Sequence, residues 1–219
     1  MIKLSLSLLI YFFITPLFGC QRVQNNTQDI DTNSYINEFE LLQENPKNDY
    51  SILISSPKAI INPLNNDIQI FDSSIEIINE NGQDIIVKSG NSNLNNSINS
   101  IRVFNNVNIS LVEKKNYFMK TDSFNWNLKT SNIDLDSPLM IFFGNTIISS
   151  SNGSYNINSS LLEINNNIFK RIIFNEKAQE QYQVEIISDI AKWLKDGNNI
   201  EFNSNNKQVE TTINFLSSK

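Results

Sequence analysis

The chain has no histidine and a single cysteine, Cys20, in 219 residues. Without histidine there is no imidazole to act as general base, to activate a serine or cysteine nucleophile, or to ligate zinc. One cysteine excludes an intramolecular disulfide. Charge is also sparse: 18% of residues are charged, and 23 acidic against 17 basic side chains leave a formal net charge of −6. The densest basic runs are Lys114-Lys115 and Lys170-Arg171, too little positive surface for nucleic acid as a partner. Glycine and proline number only 6 and 5. No Gly-rich phosphate loop, metal-ligand cluster or nucleophile elbow is spelled anywhere. The expectation is a protein that is not an enzyme and carries no cofactor and no metal.

What the sequence has in excess is asparagine, roughly one residue in six, and isoleucine among the apolar residues. Hydrophobic alternation runs undisturbed through the asparagine-rich stretches, so the excess reads as a compositional bias.

The N-terminus opens with a short positive segment, Met1-Ile2-Lys3, followed by an apolar run over residues 4–14 and then Leu17-Phe18-Gly19-Cys20. Its length, charge and order are those of a signal peptide, too short to span a bilayer comfortably. The ending resembles a bacterial lipobox, in which the cysteine is lipidated and becomes the first residue; Phe18 is bulkier than the small residue usual there. The alternative is an uncleaved anchor with an incidental thiol. In either case residues 1–20 are expected to be a membrane anchor, with Cys20 the candidate lipidation site. Residues 21–48 are polar, close with Pro46 and read as a linker. Within them Phe39-Glu40-Leu41-Leu42 makes at most one helical turn. Residues 49–219 are expected to form the folded domain.

From Tyr50 onward the dominant period is two. Ile52 and Ile54, Ile68 and Ile70, and Ile75 and Ile77 each alternate with other residues. The last pair leads into Asn79-Glu80-Asn81-Gly82, a turn signal, followed by residues 85–87. Val107, Ile109 and Leu111 alternate with Asn108 and Ser110, and Phe124, Trp126 and Leu128 with Asn125 and Asn127. Val209, Thr211, Ile213 and Phe215 do the same near the end. One apolar and one solvated face is the pattern of an antiparallel sheet. The one helical candidate is residues 183–195, where Val184, Ile187, Ala191 and Leu194 share a face. Against it, Tyr182, Val184 and Ile186 also alternate, which favours two strands with Asp196-Gly197 turning into Ile200 and Phe202.

A repeat of about 29 residues is visible. Phe118, Trp126, Leu128, Ile133 and Leu135 correspond at constant offset to Ile147, Tyr155, Ile157, Leu162 and Ile164. The polar partners keep step: Asn127 with Asn156, Thr130 with Ser159, Asp134 with Glu163. A weaker copy lies upstream, over residues 86–103. Each unit is too small to bury its own apolar face, so neighbours must stack into one interior.

Asp134-Leu135-Asp136 places two carboxylates on one side of a strand, the raw material of a cation site or of glycoside hydrolysis. They also lie opposite Ile133 and Leu135, and the solvated-face reading is preferred. Trp126 and Tyr155 sit inside the alternation, as core or as interior lining rather than as carbohydrate-stacking platforms.

Four stretches together resemble the LptC family, the membrane-tethered component of bacterial lipopolysaccharide export. They are Asn81-Gly82 after a strand; Tyr117-Phe118-Met119-Lys120-Thr121 leading to Phe124-Asn125-Trp126; Ile133-Asp134-Leu135-Asp136-Ser137-Pro138 followed by Gly153-Ser154-Tyr155; and Lys207-Gln208-Val209-Glu210-Thr211-Thr212. The resemblance spans residues 50–216 and implies an all-β fold, an open, V-shaped antiparallel β-jellyroll of the OstA/LptA type. Its interior would carry the acyl chains of lipopolysaccharide, with Val107, Ile109, Phe118, Phe124, Trp126, Leu128, Ile133, Leu135, Ile147, Tyr155, Ile157, Leu162 and Ile164 as candidate lining. The strand of Ile52 and Ile54 would dock on the LptF and LptG jellyrolls of the inner-membrane ABC transporter. The strand of Val209, Thr211, Ile213 and Phe215 would dock on a soluble LptA-like bridge protein. The implied location is the periplasm, anchored to the inner membrane. Members of the family usually carry a full transmembrane helix, from which the short segment ending at Cys20 departs. Three other readings compete: another bridge protein of the same fold, a structural envelope lipoprotein with a closed β core, and a polysaccharide-active enzyme on a β-solenoid.

Overall fold

β-Branched residues at every second position favour extended backbone and give each strand one apolar face. The computed structural model describes residues 34–45, 50–80, 82–112, 117–175, 180–194, 199–205 and 207–216, all within one unit covering residues 33–219. These residues form strands and no helix: β1 Ser34–Asn45, β2 Tyr50–Asn62, β3 Asp67–Asn79, β4 Gly82–Asn95, β5 Ser100–Leu111, β6 Tyr117–Asn127, β7 Asn132–Leu135, β8 Leu139–Phe143, β9 Thr146–Ser150, β10 Asn152–Asn156, β11 Leu161–Asn175, β12 Glu180–Leu194, β13 Ile200–Asn203 and β14 Glu210–Leu216. All pairings are antiparallel and belong to one 14-stranded sheet, the all-β, jellyroll-like fold expected. No described helix is long and apolar enough to cross a membrane.

Several strands run to 13–15 residues, more than twice the usual length, and each bends midway. The pairing register shifts between Lys88 and Asn91 and between Phe104 and Val107. Asp72, Asn105, Asn106 and Asn166 take positive φ at corresponding points of β3, β5 and β11. Bulges of this kind kink a strand and raise its twist. On β2, β4, β6, β9 and β12 a buried hydroxyl marks the bend. Ser56, Ser89, Thr121, Ser150 and Ser188 all point Oγ at the carbonyl two residues on, at 2.7, 3.0, 3.3, 2.8 and 3.1 Å.

At one end the strands are joined by four-residue turns over 62–67, 95–100, 127–132 and 156–161. Each begins with asparagine, whose Oδ1 accepts from a backbone N–H two or three residues ahead: Leu64 on Asn62, Ile98 on Asn95, Lys129 and Thr130 on Asn127, Ser159 on Asn156. The fifth residue takes positive φ (Asn66, Asn99, Ser131, Ser160), a conformation asparagine tolerates better than most. On the outer face asparagines pair across strands, Asn156 on Asn132 and Asn165 on Asn152. Much of the asparagine excess therefore occupies defined structural positions. The repeat of the sequence is the unit from bend to turn, six residues from Ser56 to Asn62, Ser89 to Asn95, Thr121 to Asn127 and Ser150 to Asn156.

The bends divide the sheet into two walls. The first comprises the strand halves next to the asparagine turns, with β7, β10 and β13. The second comprises the opposite halves, with β8, β9 and β14. Their inner faces share one core that includes Ile52, Ile54, Ile75, Ile101, Phe124, Trp126, Leu139 and Ile148. The walls touch where Tyr50 and Ser131 hydrogen-bond at 2.6 Å and where Phe169 packs edge-on against Phe202.

Two expectations are corrected here. Residues 34–45, assigned to the linker, are strand β1, paired along β2 from Ser34↔Ile61 to Asn45↔Tyr50. Phe39, 7% exposed, drives this by packing into the core, so its segment is not a helical turn. Second, Ile52 and Ile54 do not lie on an edge strand: β2 is paired on both sides, by β1 and β3, and these side chains are 1% and 0% exposed. Residues 183–195 follow the strand alternative, with β12 pairing β13 through Ala191↔Phe202. The anchor of residues 1–20, Cys20 included, lies outside the described residues.

Candidate functional site

Between the walls lies an apolar cavity of about 80 Å³. The second wall contributes Ile85 and Val87 from β4, Ile109 and Leu111 from β5, Tyr117, Phe118 and Met119 from β6, and Ile141 from β8. The first contributes Ile133 and Leu135 from β7, Tyr155 from β10, Leu162 from β11, Trp193 from β12 and, at the end of a turn, Ser160. These side chains meet because residues opposite one another in an antiparallel ladder point to the same face, and Trp126↔Ile133, Ile133↔Tyr155 and Tyr155↔Leu162 are such pairs. Their equivalence at offset 29 is thus a structural one: the hairpin β6–β7 is repeated as β10–β11 and laid beside itself.

An aromatic cluster bridges the walls at the cavity. Trp193 of the first wall stacks on Phe143 of the second at 5.5 Å and lies 6.1 Å from Tyr117, which itself stacks on Phe143 at 5.6 Å. Gly153 holds β10 close to β11: a Cβ there would sit 2.6 Å from the Glu163 carbonyl and 2.9 Å from the Ile164 side chain.

Of the candidate lining residues, Ile109, Ile133, Leu135, Tyr155 and Leu162 border the cavity from the inner face, and Phe118 adjoins it from a position whose ring lies on the outer face. Val107, Phe124, Trp126, Leu128 and Ile164 are buried in the packed core beside it, and Ile157 is partly buried against that core. Ile147 is corrected: it is 41% exposed on the outer face, because Thr146 and Ile148 take the inner positions of β9. Its repeat partner Phe118, 37% exposed, turns its ring outward to stack on Phe142 at 4.6 Å. Ile85, Val87, Leu111, Tyr117, Met119, Ile141, Ser160 and Trp193 were not anticipated as lining. The alternation of β4 and β8 marks their inner residues as buried, but only the facing wall decides which of them border a void.

Asp134 and Asp136 both stand on the outer face, where Asp136 accepts from Ser123 Oγ at 3.2 Å and Asn125 Nδ2 at 3.0 Å. They tie β6 to β7. Of the proposed C-terminal docking residues, Thr211, Ile213 and Phe215 lie in β14, which pairs only with β12 among the described strands, and Val209 immediately precedes it. Ile213 and Phe215 are 54% and 75% exposed. At the other margin, β1 pairs only with β2 among the described strands.

Among protein families, the model described as lipopolysaccharide-assembly, LptC-related, matches residues 1–172. No curated protein matches the chain.

Proposed function

The chain belongs to the LptC-related family of lipopolysaccharide-assembly proteins, with the role in lipopolysaccharide export that this carries, and from that premise we propose that it holds the acyl part of lipopolysaccharide between its two walls and passes it along a chain of jellyrolls. The observation that carries this reading is the cavity itself. Its lining is aliphatic and aromatic apart from Ser160, and it lies between walls joined at a seam rather than closed into a barrel.

At about 80 Å³ the cavity has room for roughly six water-sized groups, a stub of an acyl chain. Loading a whole chain requires the walls to part, and the contacts that resist are those of Trp193 with Phe143 and Tyr117. Each aromatic contact contributes about 0.5–1.5 kcal/mol beyond area burial, whereas moving a twelve-carbon chain out of water gains about 10 kcal/mol gross. Opening is therefore energetically within reach of the ligand's own burial. The small resting volume also favours a second reading, a structural envelope lipoprotein with a filled core.

The edges supply the handover. An edge strand offers unpaired N–H and C=O groups to a strand of another protein. In this reading β1, not β2, meets the transporter's jellyrolls, and β14 meets the bridge protein. The N-terminal segment tethers the domain to the periplasmic face of the inner membrane, through Cys20 if it is lipidated.

Photocrosslinking in cells tests the reading. A benzophenone amino acid replacing Tyr155 or Leu162 is expected to give lipopolysaccharide adducts that require ATP and the transporter, and the same group at Ile147 none. Absence of adducts at both inner positions in a folded, normally expressed protein would favour the filled core.

A further inference from the structure

Charged side chains on this sheet stand almost wholly on its outer face, with one exception near the cavity. The pairings Tyr117↔Phe143, Phe143↔Thr146, Thr146↔Arg171, Arg171↔Val184 and Val184↔Ile213 run straight across β6, β8, β9, β11, β12 and β14. Residues opposite one another point the same way, and Thr146 in this row is 2% exposed. Phe169, two residues before Arg171 on β11, is 7% exposed and packed in the core. Arg171 therefore stands on the inner face, itself exposed, while its neighbour Lys170 faces outward and pairs with Glu185 at 3.0 Å.

Among the described strands, the only other charge at an inner position is Glu180, four residues before Val184 on β12, about 13 Å away along the strand. The ion pairs found among the described residues, Lys170–Glu185 and Lys192–Glu163, leave Arg171 out. Arg171 lies two strands from Phe143, about 10 Å, and so just beyond the aromatic cluster that borders the cavity. The Arg171 guanidinium shares its face with Phe169 and Val184 and, being exposed, is open to an anion. Its planar fork matches the oxygens of a phosphate.

We infer that Arg171 receives the phosphate of an amphiphile whose acyl chain occupies the cavity, so that the site reads the head as well as the tail of its ligand. This rests on the cavity being a lipid site, as proposed above. The row from Tyr117 to Ile213 then orders the ligand: rings and aliphatics for the chain, a single cation where the chain ends, and the exposed apolar edge of β14 beyond it.

The test is displacement of a fluorescent apolar probe from the full chain by dodecyl phosphate and by dodecyl glucoside, which share a tail and differ in charge. Dodecyl phosphate is expected to bind the unaltered chain at least tenfold more tightly. Arg171→Gln is expected to weaken dodecyl phosphate about tenfold, the usual scale of one charge-assisted hydrogen bond, and to leave dodecyl glucoside unchanged; Arg171→Lys recovers part of the loss. An unchanged preference in Arg171→Gln, or an equal loss for both amphiphiles, overturns the inference while the lipid cavity stands. If neither amphiphile displaces the probe from the unaltered chain, the lipid-cavity reading itself fails, and the role of Arg171 falls with it.

Discussion

Trp193→Ala separates the closing of the cavity from the folding of the sheet. Trp193 is a partly buried ring at the end of β12 that contacts Phe143 at 5.5 Å and Tyr117 at 6.1 Å across the gap between walls. Removing it deletes two aromatic contacts, together about 1–3 kcal/mol. It also removes part of the burial that costs about 3–5 kcal/mol when a fully buried tryptophan is truncated. Trp193 is not fully buried and borders a space that water enters on truncation, so the net expectation is a loss of about 3 kcal/mol. For a domain of this size that lowers Tm by about 6–12 °C, read by far-UV circular dichroism so that the lost indole does not distort the signal. The same change enlarges the cavity and removes the contacts that hold the walls together, so a fluorescent apolar probe should bind more tightly despite the lower stability. Trp193→Phe should keep most of both properties. A fall in Tm of less than 2 °C, or a destabilised protein that binds the probe no better, would refute the account of the aromatic cluster as the contact that closes the cavity.

Gly153→Ala brings a methyl group within 2.6 Å of the Glu163 carbonyl; backbone on β11 must move, and a loss of about 3 kcal/mol in urea unfolding is expected, with a loss under 0.5 kcal/mol counting against the assigned register. Ile147→Glu and Ile148→Glu test which way β9 faces. The first, 41% exposed, should change stability by less than about 0.5 kcal/mol, whereas the second, 1% exposed, should prevent folding, since it buries an unpaired carboxylate. Equal effects in a solubility and thermal-unfolding comparison would contradict the assignment of faces.

Sequence and structure part company at identifiable residues. Alternation by itself marked β3, β5 and β6 as strands and marked Ile133, Leu135, Leu162 and Ile164 as inward. The offset of 29 correctly joined Trp126 to Tyr155 and Ile133 to Leu162, which stand in one cross-strand row. It also joined Phe118 to Ile147, and both point outward. The bend inserted between Phe118 and Trp126 changes the alternation phase, with Thr121 and Phe124 both buried three residues apart. Extending one phase through a bulge therefore assigns the wrong face to everything beyond it. The hydroxyls that mark these bends, Ser56, Ser89, Thr121, Ser150 and Ser188, were a signal in plain view, each polar at a position where the alternation calls for an apolar residue. β1 escaped notice because only Phe39 is fully buried among its charged and polar neighbours, so its strand identity comes from pairing with β2 and not from a two-residue period.

By itself the sequence determined that the domain is antiparallel β, because a period of two leaves each strand one face to bury. It carried the spacing of the turns, because an asparagine caps each of the four at the same place. It also left the chain without a single histidine, so no imidazole stands at the site. The tertiary structure alone decided which buried residues border empty space and which pack solid, why Tyr155 reaches the cavity while Trp126 lies beneath it, and that Arg171 stands on the inner face. Those are properties of one wall facing another: alternation is local along a strand, while a void and its mouth are set by residues far apart in the chain that meet only when the sheet folds over at its seam.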